Sequence, residues 1–364
     1  MNSPSALVTA AGGIGDIIRM TPLVRALGIL GYEVDLLLAP DYPGTVKLFE
    51  GAREIHRLFY VPSQWSQQTE HKSDKLPSCR GLRQDGSLSD IEGLRERSYD
   101  LVTFTVWSSR FRELVVARNK LAFDQRQWIQ EGDIACSLRI AESLGWSGPL
   151  PQPFVVPSAA DFCLRPGTVA LHPGCKPGWP WKKWHGFEDL ARAIDDVVII
   201  GTEGDLDNRG TYFGRSFQWP DHAIDYTGKL GIEDTAALIG QCAALVSNDS
   251  GLMHLGVAVG TPTLGLFGLT SPAREMIPAP QMIALTKSLS CEPACRRQPW
   301  GRRDCNYHLE CLKTLTAAEV LPRLAEVACK RTSHTSTDAA LPVEAGCTGL
   351  DQASQHQVVL NGRT

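Results

Sequence analysis

The stretch that most restricts the fold of this 364-residue chain is Leu245-Val-Ser-Asn-Asp-Ser-Gly-Leu-Met-His-Leu255, followed closely by Gly260-Thr-Pro-Thr-Leu-Gly-Leu-Phe-Gly268. A short apolar run breaks at Asn248-Asp249-Ser250-Gly251 and then resumes at helical spacing, which predicts a buried strand, a tight turn and a helix. The first N–H groups of such a helix have no carbonyl one turn back, and the helix dipole points at them, so the turn is a ready anion site. The next strand follows within a few residues, as in a βαβ unit. The turn therefore falls at the carboxyl edge of a parallel sheet, where α/β proteins bind phosphorylated ligands. Taken alone, the stretch predicts nucleotide or phosphate binding and nothing narrower.

The rest of the chain repeats this alternation. A first half opens with a strand at Ala6-Leu-Val-Thr-Ala10, a Gly-rich turn and a helix from about Ile17 to Leu30. Strands are expected at Glu33–Leu38, Leu58–Val61 and Asp100–Val106, and residues 63–96, polar and without period, read as an insertion or loop. The Pro-rich stretch Gly148–Pro157 is the expected linker. A second half follows with strands at Thr168–Gly174 and Val197–Ile200 and helices near Gly186–Ile194 and Ile232–Cys242. The expectation is an α/β protein with two doubly wound, Rossmann-like parallel sheets facing each other across a cleft. The domain bounds are 1–157 and 158–330, with a disordered tail at 331–364 rich in Ser, Thr, Ala and Gln.

Composition narrows the partners. A hydrophobic content of 43% over this length supports two cores of ordinary size. A formal net charge of -4 gives nucleic acid no place as the main partner. No apolar tract approaches the roughly 20 unbroken residues of a transmembrane helix, and the N-terminus lacks the pattern of a signal peptide. The chain is therefore expected to be cytoplasmic, with its eleven cysteines mostly reduced.

Several residues could carry chemistry. The turn Gly12-Gly13-Ile14-Gly15-Asp16 follows a strand and opens a helix, and its glycines allow another group to approach the backbone. The spacing is not that of a dinucleotide fingerprint. Asp16 reads either as a carboxylate favouring the helix dipole or as a general base at the top of the sheet. Lys182 and Lys183, in a Trp-rich segment after His172-Pro-Gly174, are each either solvated or phosphate-neutralising. Glu203 and Asp205 stand where a ribose hydroxyl could bind or a helix could be capped, and Asp205-Leu-Asp207 has the spacing of an acidic metal pair. Cys291, Cys295, Cys305 and Cys311 fall within 21 residues, as a tetrahedral site for zinc or iron or as small buried thiols. Arg296, Arg297, Arg302 and Arg303 between them make a basic lobe, either a solvated face or a hold for a phosphorylated acceptor.

Together these stretches resemble the heptosyltransferase family of glycosyltransferases, family 9. The matching motifs are Gly12-Gly-Ile-Gly-Asp-Ile-Ile-Arg-Met-Thr-Pro-Leu23, His172-Pro-Gly174 with Lys182-Lys183-Trp184, Ser247–Gly256, and Gly260–Pro272. The resemblance implies the GT-B fold, an inverting transfer without a catalytic cofactor, and a nucleotide-diphosphate sugar donor of the ADP-heptose type. The second domain would hold the donor and the first would face the acceptor. Asp16 then looks like the catalytic base and Lys182 like the lysine on the donor phosphates. Asp249, Ser250 and Gly251 form the phosphate turn, with Glu203 and His254 in the donor-binding set and Gly12, Gly13 and Gly15 in the N-terminal turn. The four-cysteine segment resembles one found in a subset of the family that includes protein glycosylators, with a structural zinc or iron as the expected occupant. The implied acceptor is a lipopolysaccharide core or related glycan or glycolipid, with peripheral membrane contact, or else a protein. A nucleotide-sugar-binding protein without transferase activity is the reading from another class.

Overall fold

The computed structural model describes residues 3–61, 94, 96–176, 178–208, 211–291, 305 and 309–330. Two parallel sheets organise it. The first contains β1 (Ser5–Gly12), β2 (Glu33–Pro40), β3 (Arg57–Tyr60), β4 (Ser98–Phe104) and β5 (Val116–Ala122) in the order β3-β2-β1-β4-β5. Its central strands are nearly continuous apolar runs, as a sheet covered on both faces requires. The second contains β6 (Val169–His172), β7 (Val197–Ile199), β8 (Ile224–Asp225), β9 (Ala244–Asn248), β10 (Thr263–Phe267) and β11 (Met282–Thr286) in the order β11-β10-β9-β6-β7-β8. Both orders reverse direction at one point, between β1 and β4 and between β6 and β9. Such switch points open a crevice at the carboxyl ends of the strands. The turn after β1 stands at one, and the turn after β9 at the other.

The helices are α1 (Ile14–Ile18), α2 (Thr21–Ile29), α3 (Gln125–Ser143), α4 (Phe187–Arg192), α5 (Ile232–Gln241), α6 (Gly251–Ala258), α7 (Pro272–Glu275), α8 (Glu310–Lys313) and α9 (Ala317–Ala328). The single helix expected from Ile17 to Leu30 is two. Pro22 in the first turn of α2 has no N–H to give, and its ring would collide with the carbonyl one turn back, so the helix restarts at Thr21. Arg19 stands at that break and pairs with Asp133 of α3. Helices α3, α7, α8 and α9 and strands β5, β8 and β11 lie outside the expectation from sequence. The expected polar insertion at 63–96 lies almost wholly outside the described residues, and the tail from 331 lies entirely outside them.

The chain crosses between the halves near residue 157. Val156 N–H donates to Leu48 O in the first half, and Ser158 N–H to Glu233 O in the second. Buried residues of both halves, among them Ile17 and Met20 on one side and Leu252 and Met253 on the other, belong to one continuous apolar cluster. A second cluster lies on the far face of the second sheet, where Val320, Leu324 and Val327 of α9 close it. Among the described residues no helix is long and apolar enough to cross a membrane.

Candidate active site

The two switch-point turns meet directly, because small residues stand where they touch. A Cβ added to Gly15 of α1 would lie 2.6 Å from His254 Cδ2 on α6. One added to Gly251 would lie 3.0 Å from Ile14 Cβ and 3.3 Å from Gly15 N. Backbone therefore approaches backbone across the cleft, a contact that only glycine permits.

On the first-half side, the turn is shaped around Asp16. Gly12 has φ +116°, and a Cβ there would sit 2.6 Å from Asp16 Oδ2. Gly13 N–H donates to that same oxygen at 2.8 Å. Asp16 Oδ1 accepts from Arg19 Nη2 at 2.5 Å. The side chain keeps 24% of its exposure, so the carboxylate is not sealed from solvent. Arg19 is buried and also meets Asp133 Oδ2 of α3 at 2.9 Å and Glu275 Oε2 of α7 at 2.6 Å. Burial works against its charge, but Asp133, Glu275 and Asp16 outweigh it and hold the guanidinium above its ordinary range. Burial pushes the Asp133 carboxyl up, against the pull of Arg19.

On the second-half side, Lys182 Nζ donates to Asp249 Oδ2 at 2.6 Å, and Thr270 Oγ1 donates to the same oxygen at 2.6 Å. Burial alone would raise the Asp249 carboxyl, but Lys182 and Thr270 keep it below the usual carboxylate range. The Lys182 ammonium also lies 5.0 Å from the centroid of the Trp179 ring. Asp249 N–H is spent on Leu266 O. Its contribution to an anion is therefore indirect: it holds Lys182 beside the turn, while the first N–H groups of α6 have no carbonyl one turn back. His172, at the end of β6, links Ser247 Oγ and Ser250 Oγ at 3.0 Å each through Nδ1. His254 is enclosed, and burial together with the Arg19 charge pushes its imidazole down to about 3, so it is neutral near pH 7. Its Nδ1 is buried without a hydrogen-bond partner.

The two lysines separate cleanly. Lys183 is buried, and its ammonium donates to Asp205 O at 2.8 Å and Asp207 O at 2.9 Å, tying down the turn after β7. Only Lys182 reaches the turn after β9. The acidic pair also resolves: Asp205 Oδ2 accepts from Thr202 N at 2.7 Å and lies 3.7 Å from His172 Nε2, while Asp207 offers its carbonyl to Lys183. The pair is a cap and a tie, not two metal ligands. Glu203 is exposed at the start of the same short turn. Lys176 Nζ reaches across the cleft to Asp41 Oδ2 at 2.9 Å.

Of the four cysteines, Cys295 lies outside the described residues, as do the four arginines of the basic lobe. Cys291 and Cys305 share a small apolar cluster with Trp181 and Leu269, whereas Cys311 packs against the core of the second half. Among the described residues no three His, Cys, Asp or Glu side chains stand together as a metal group. Arg19, Asp133, Glu275 and Thr270 escaped the sequence reading. Arg19 had a local signal, three residues after Asp16, but its partners come from elements far along the chain.

Comparison with known proteins agrees with this geometry. Residues 179–300 match the profile described as glycosyltransferase family 9 (heptosyltransferase). Lipopolysaccharide heptosyltransferase 2 of Escherichia coli is 32% identical over 145 residues, covering 34% of this chain and 41% of that relative. Lipooligosaccharide heptosyltransferase 2 of Haemophilus ducreyi is 41% identical over 114 residues, covering 29% of this chain and 32% of the relative. The aligned stretches thus span well under half of these relatives. Among solved structures, ADP-heptose lps heptosyltransferase II of E. coli superposes with a TM-score of 0.60 at 17% identity, covering 90% of this chain and 99% of that one. E. coli heptosyltransferase WaaC with ADP-2-deoxy-2-fluoro heptose gives 0.59 at 15% identity, covering 88% and 99%. The iron-containing dodecameric glycosyltransferase TibC gives 0.56 at 15% identity, covering 91% and 77%. These likenesses establish a GT-B fold of two Rossmann-like halves, and the segment 179–300 is similar to glycosyltransferase family 9.

Proposed function

We propose that this chain is an inverting glycosyltransferase that moves a heptose from an ADP-heptose-type donor to a lipopolysaccharide core or related glycan. One observation carries the proposal: the α1–α6 contact sets a partly exposed carboxylate, Asp16, beside a turn that bears a cation, Lys182 with the start of α6. In the proposed reaction the acceptor hydroxyl oxygen attacks the anomeric carbon as the bond to the diphosphate breaks. Asp16 takes the hydroxyl proton. Lys182 and the first N–H groups of α6 meet the charge that develops on the departing ADP.

The names of the curated relatives favour a lipopolysaccharide-type acceptor over a protein. Such an acceptor is held in lipid, so the enzyme would work at the cytoplasmic membrane surface as a peripheral protein. Glu203, exposed in the turn after β7, would meet the donor's ribose, and neutral His254 would back the contact between the turns. A structural zinc or iron at the four-cysteine segment is proposed from the cysteine spacing; Cys291 and Cys305 share one apolar cluster, whereas Cys311 packs against the second-half core.

Incubation with a panel of ADP-, UDP- and GDP-sugars, with and without a heptose-deficient lipopolysaccharide core, tests the reading. The expected result is ADP release from ADP-heptose that depends on the acceptor. Tight ADP-heptose binding with no release would instead make the chain a nucleotide-sugar-binding protein.

A further inference from the structure

We propose that Arg19 is the residue that positions Asp16, and that Glu275 of the opposite half completes that setting. The carboxylate of Asp16 would then hold its working direction only while α7 is docked against α1 and α3. The inference rests on the reading of Asp16 as the base.

The buried Arg19 guanidinium is gripped from three elements: Asp16 on α1, Asp133 on α3 and Glu275 on α7. Two of these belong to the first half and the third to the second. Asp133 is itself fixed, because Trp128 Nε1 donates to its Oδ1 at 2.7 Å. Glu275 is fixed through its neighbour: Arg274 pairs with it, donates to Ile129 O at 3.0 Å and to Trp128 O at 3.3 Å, and lies 4.9 Å over the Trp128 ring. At Gly132, where α3 breaks at φ +83°, the Arg274 carbonyl packs against the backbone so closely that no Cβ fits. The second half is thus keyed into α3 beside the group that orients Asp16.

The same short segment touches the phosphate turn. Thr270 donates to Asp249, Pro272 begins α7, and Glu275 ends it on Arg19. A few residues therefore join the lysine-bearing turn to the guanidinium that holds Asp16. With Oδ2 on the Gly13 N–H and Oδ1 on Arg19, the carboxylate is held through both oxygens, each of which keeps acceptor capacity to spare. Glu275 is a positioning residue in this arrangement. Its side-chain partners are Arg19 and Arg274.

The test is a double-mutant cycle with ADP-heptose and the lipopolysaccharide-core acceptor, comparing wild type, Glu275→Gln, Asp16→Asn and the double variant. Glu275→Gln keeps the shape of the side chain but drops its charge. It should lower kcat about tenfold with ADP affinity within about threefold, a smaller loss than the roughly 10²-fold of a full misplacement. In the Asp16→Asn background the same change should cost nothing further, because a residue that acts through Asp16 has nothing left to act on. A purely structural role would instead lower kcat by the same factor in both backgrounds, and that result would overturn the inference while leaving the transferase reading intact. Unchanged kcat in Glu275→Gln would overturn it equally. Absence of any transfer by the wild type would overturn the transferase reading, and the positioning role with it. Thermal unfolding of each variant confirms that all four proteins compared are folded.

Discussion

Gly15→Ala adds one methyl group where the two switch-point turns meet. The new carbon would lie 2.6 Å from His254 Cδ2, whereas carbons in contact sit about 3.5–4.0 Å apart. The His254 ring is buried in α6 between Met253 and Leu255, so it has little room to retreat. Helices α1 and α6 must therefore part by roughly 1 Å to restore ordinary contact. Two opposing terms decide the stability. Gly15 has a helical backbone, where alanine is ordinarily favoured over glycine by about 0.5–1 kcal/mol. Overpacking of an enclosed contact costs about 1–3 kcal/mol. The net change should destabilise by about 1 kcal/mol, opposite in sign to helix propensity alone. The catalytic effect is larger, since separating base from phosphate turn by that distance should lower kcat about 10²-fold. ADP affinity, measured by calorimetry, should change little, because Lys182 and α6 move as one. A Gly15→Ala protein with raised Tm or wild-type kcat would refute the reasoning, for it would mean that the turns do not work at this separation.

Lys182→Ala should weaken ADP binding about tenfold or more, as loss of a charge-assisted contact does. Lys183→Ala should leave ADP affinity within about threefold and lower Tm, because its ammonium is committed to the Asp205 and Asp207 carbonyls. A larger affinity loss at Lys183 would reverse the assignment. His254, held at about 3 in the fold, takes up a proton near 6.5 once unfolded. Stability should therefore fall as pH drops below about 6.5, by up to about 2 kcal/mol at pH 5, and His254→Gln should flatten that slope in urea titrations. His185, also pushed down by burial, adds to the slope in the same direction. A slope unchanged by His254→Gln would contradict the buried neutral imidazole. Protein purified without chelator should carry about one equivalent of zinc or iron, released by Cys→Ser at any of the four cysteines. Protein that carries no metal would leave them as ordinary thiols.

The two crevice turns were legible because each is punctuated the same way, an apolar strand ending in Gly or Asn-Asp-Ser-Gly and resuming at helical spacing. Those signals are local, and their alternation is what predicts two parallel sheets. Helix α3 was not legible: its apolar residues fall on no single helical face, and Gly132 breaks it midway. Strand β5 is an edge strand whose residues are mostly exposed or half-buried, so it lacks the apolar run that marks β1 and β2. Helix α9 did carry a readable start, Thr316 with Glu319 in a capping box, but Pro322 within it masked the rest. The site divides on the same line. Asp16, Lys182 and the turn before α6 sit in motifs. The role of Arg19 depends on Glu275, 256 residues away, and no local pattern encodes that pairing.

The central claim is that Asp16 takes the acceptor proton across the cleft, and Asp16→Asn tests it most directly. Asparagine keeps the size of the side chain and an oxygen for Arg19, while Asp133 and Glu275 continue to hold the guanidinium. The measurement is kcat for ADP-heptose with the lipopolysaccharide-core acceptor, alongside calorimetric ADP affinity. The account predicts a loss of about 10²-fold or more in kcat with ADP affinity nearly unchanged. Turnover equal to that of the wild type would remove Asp16 from the mechanism and contradict the account.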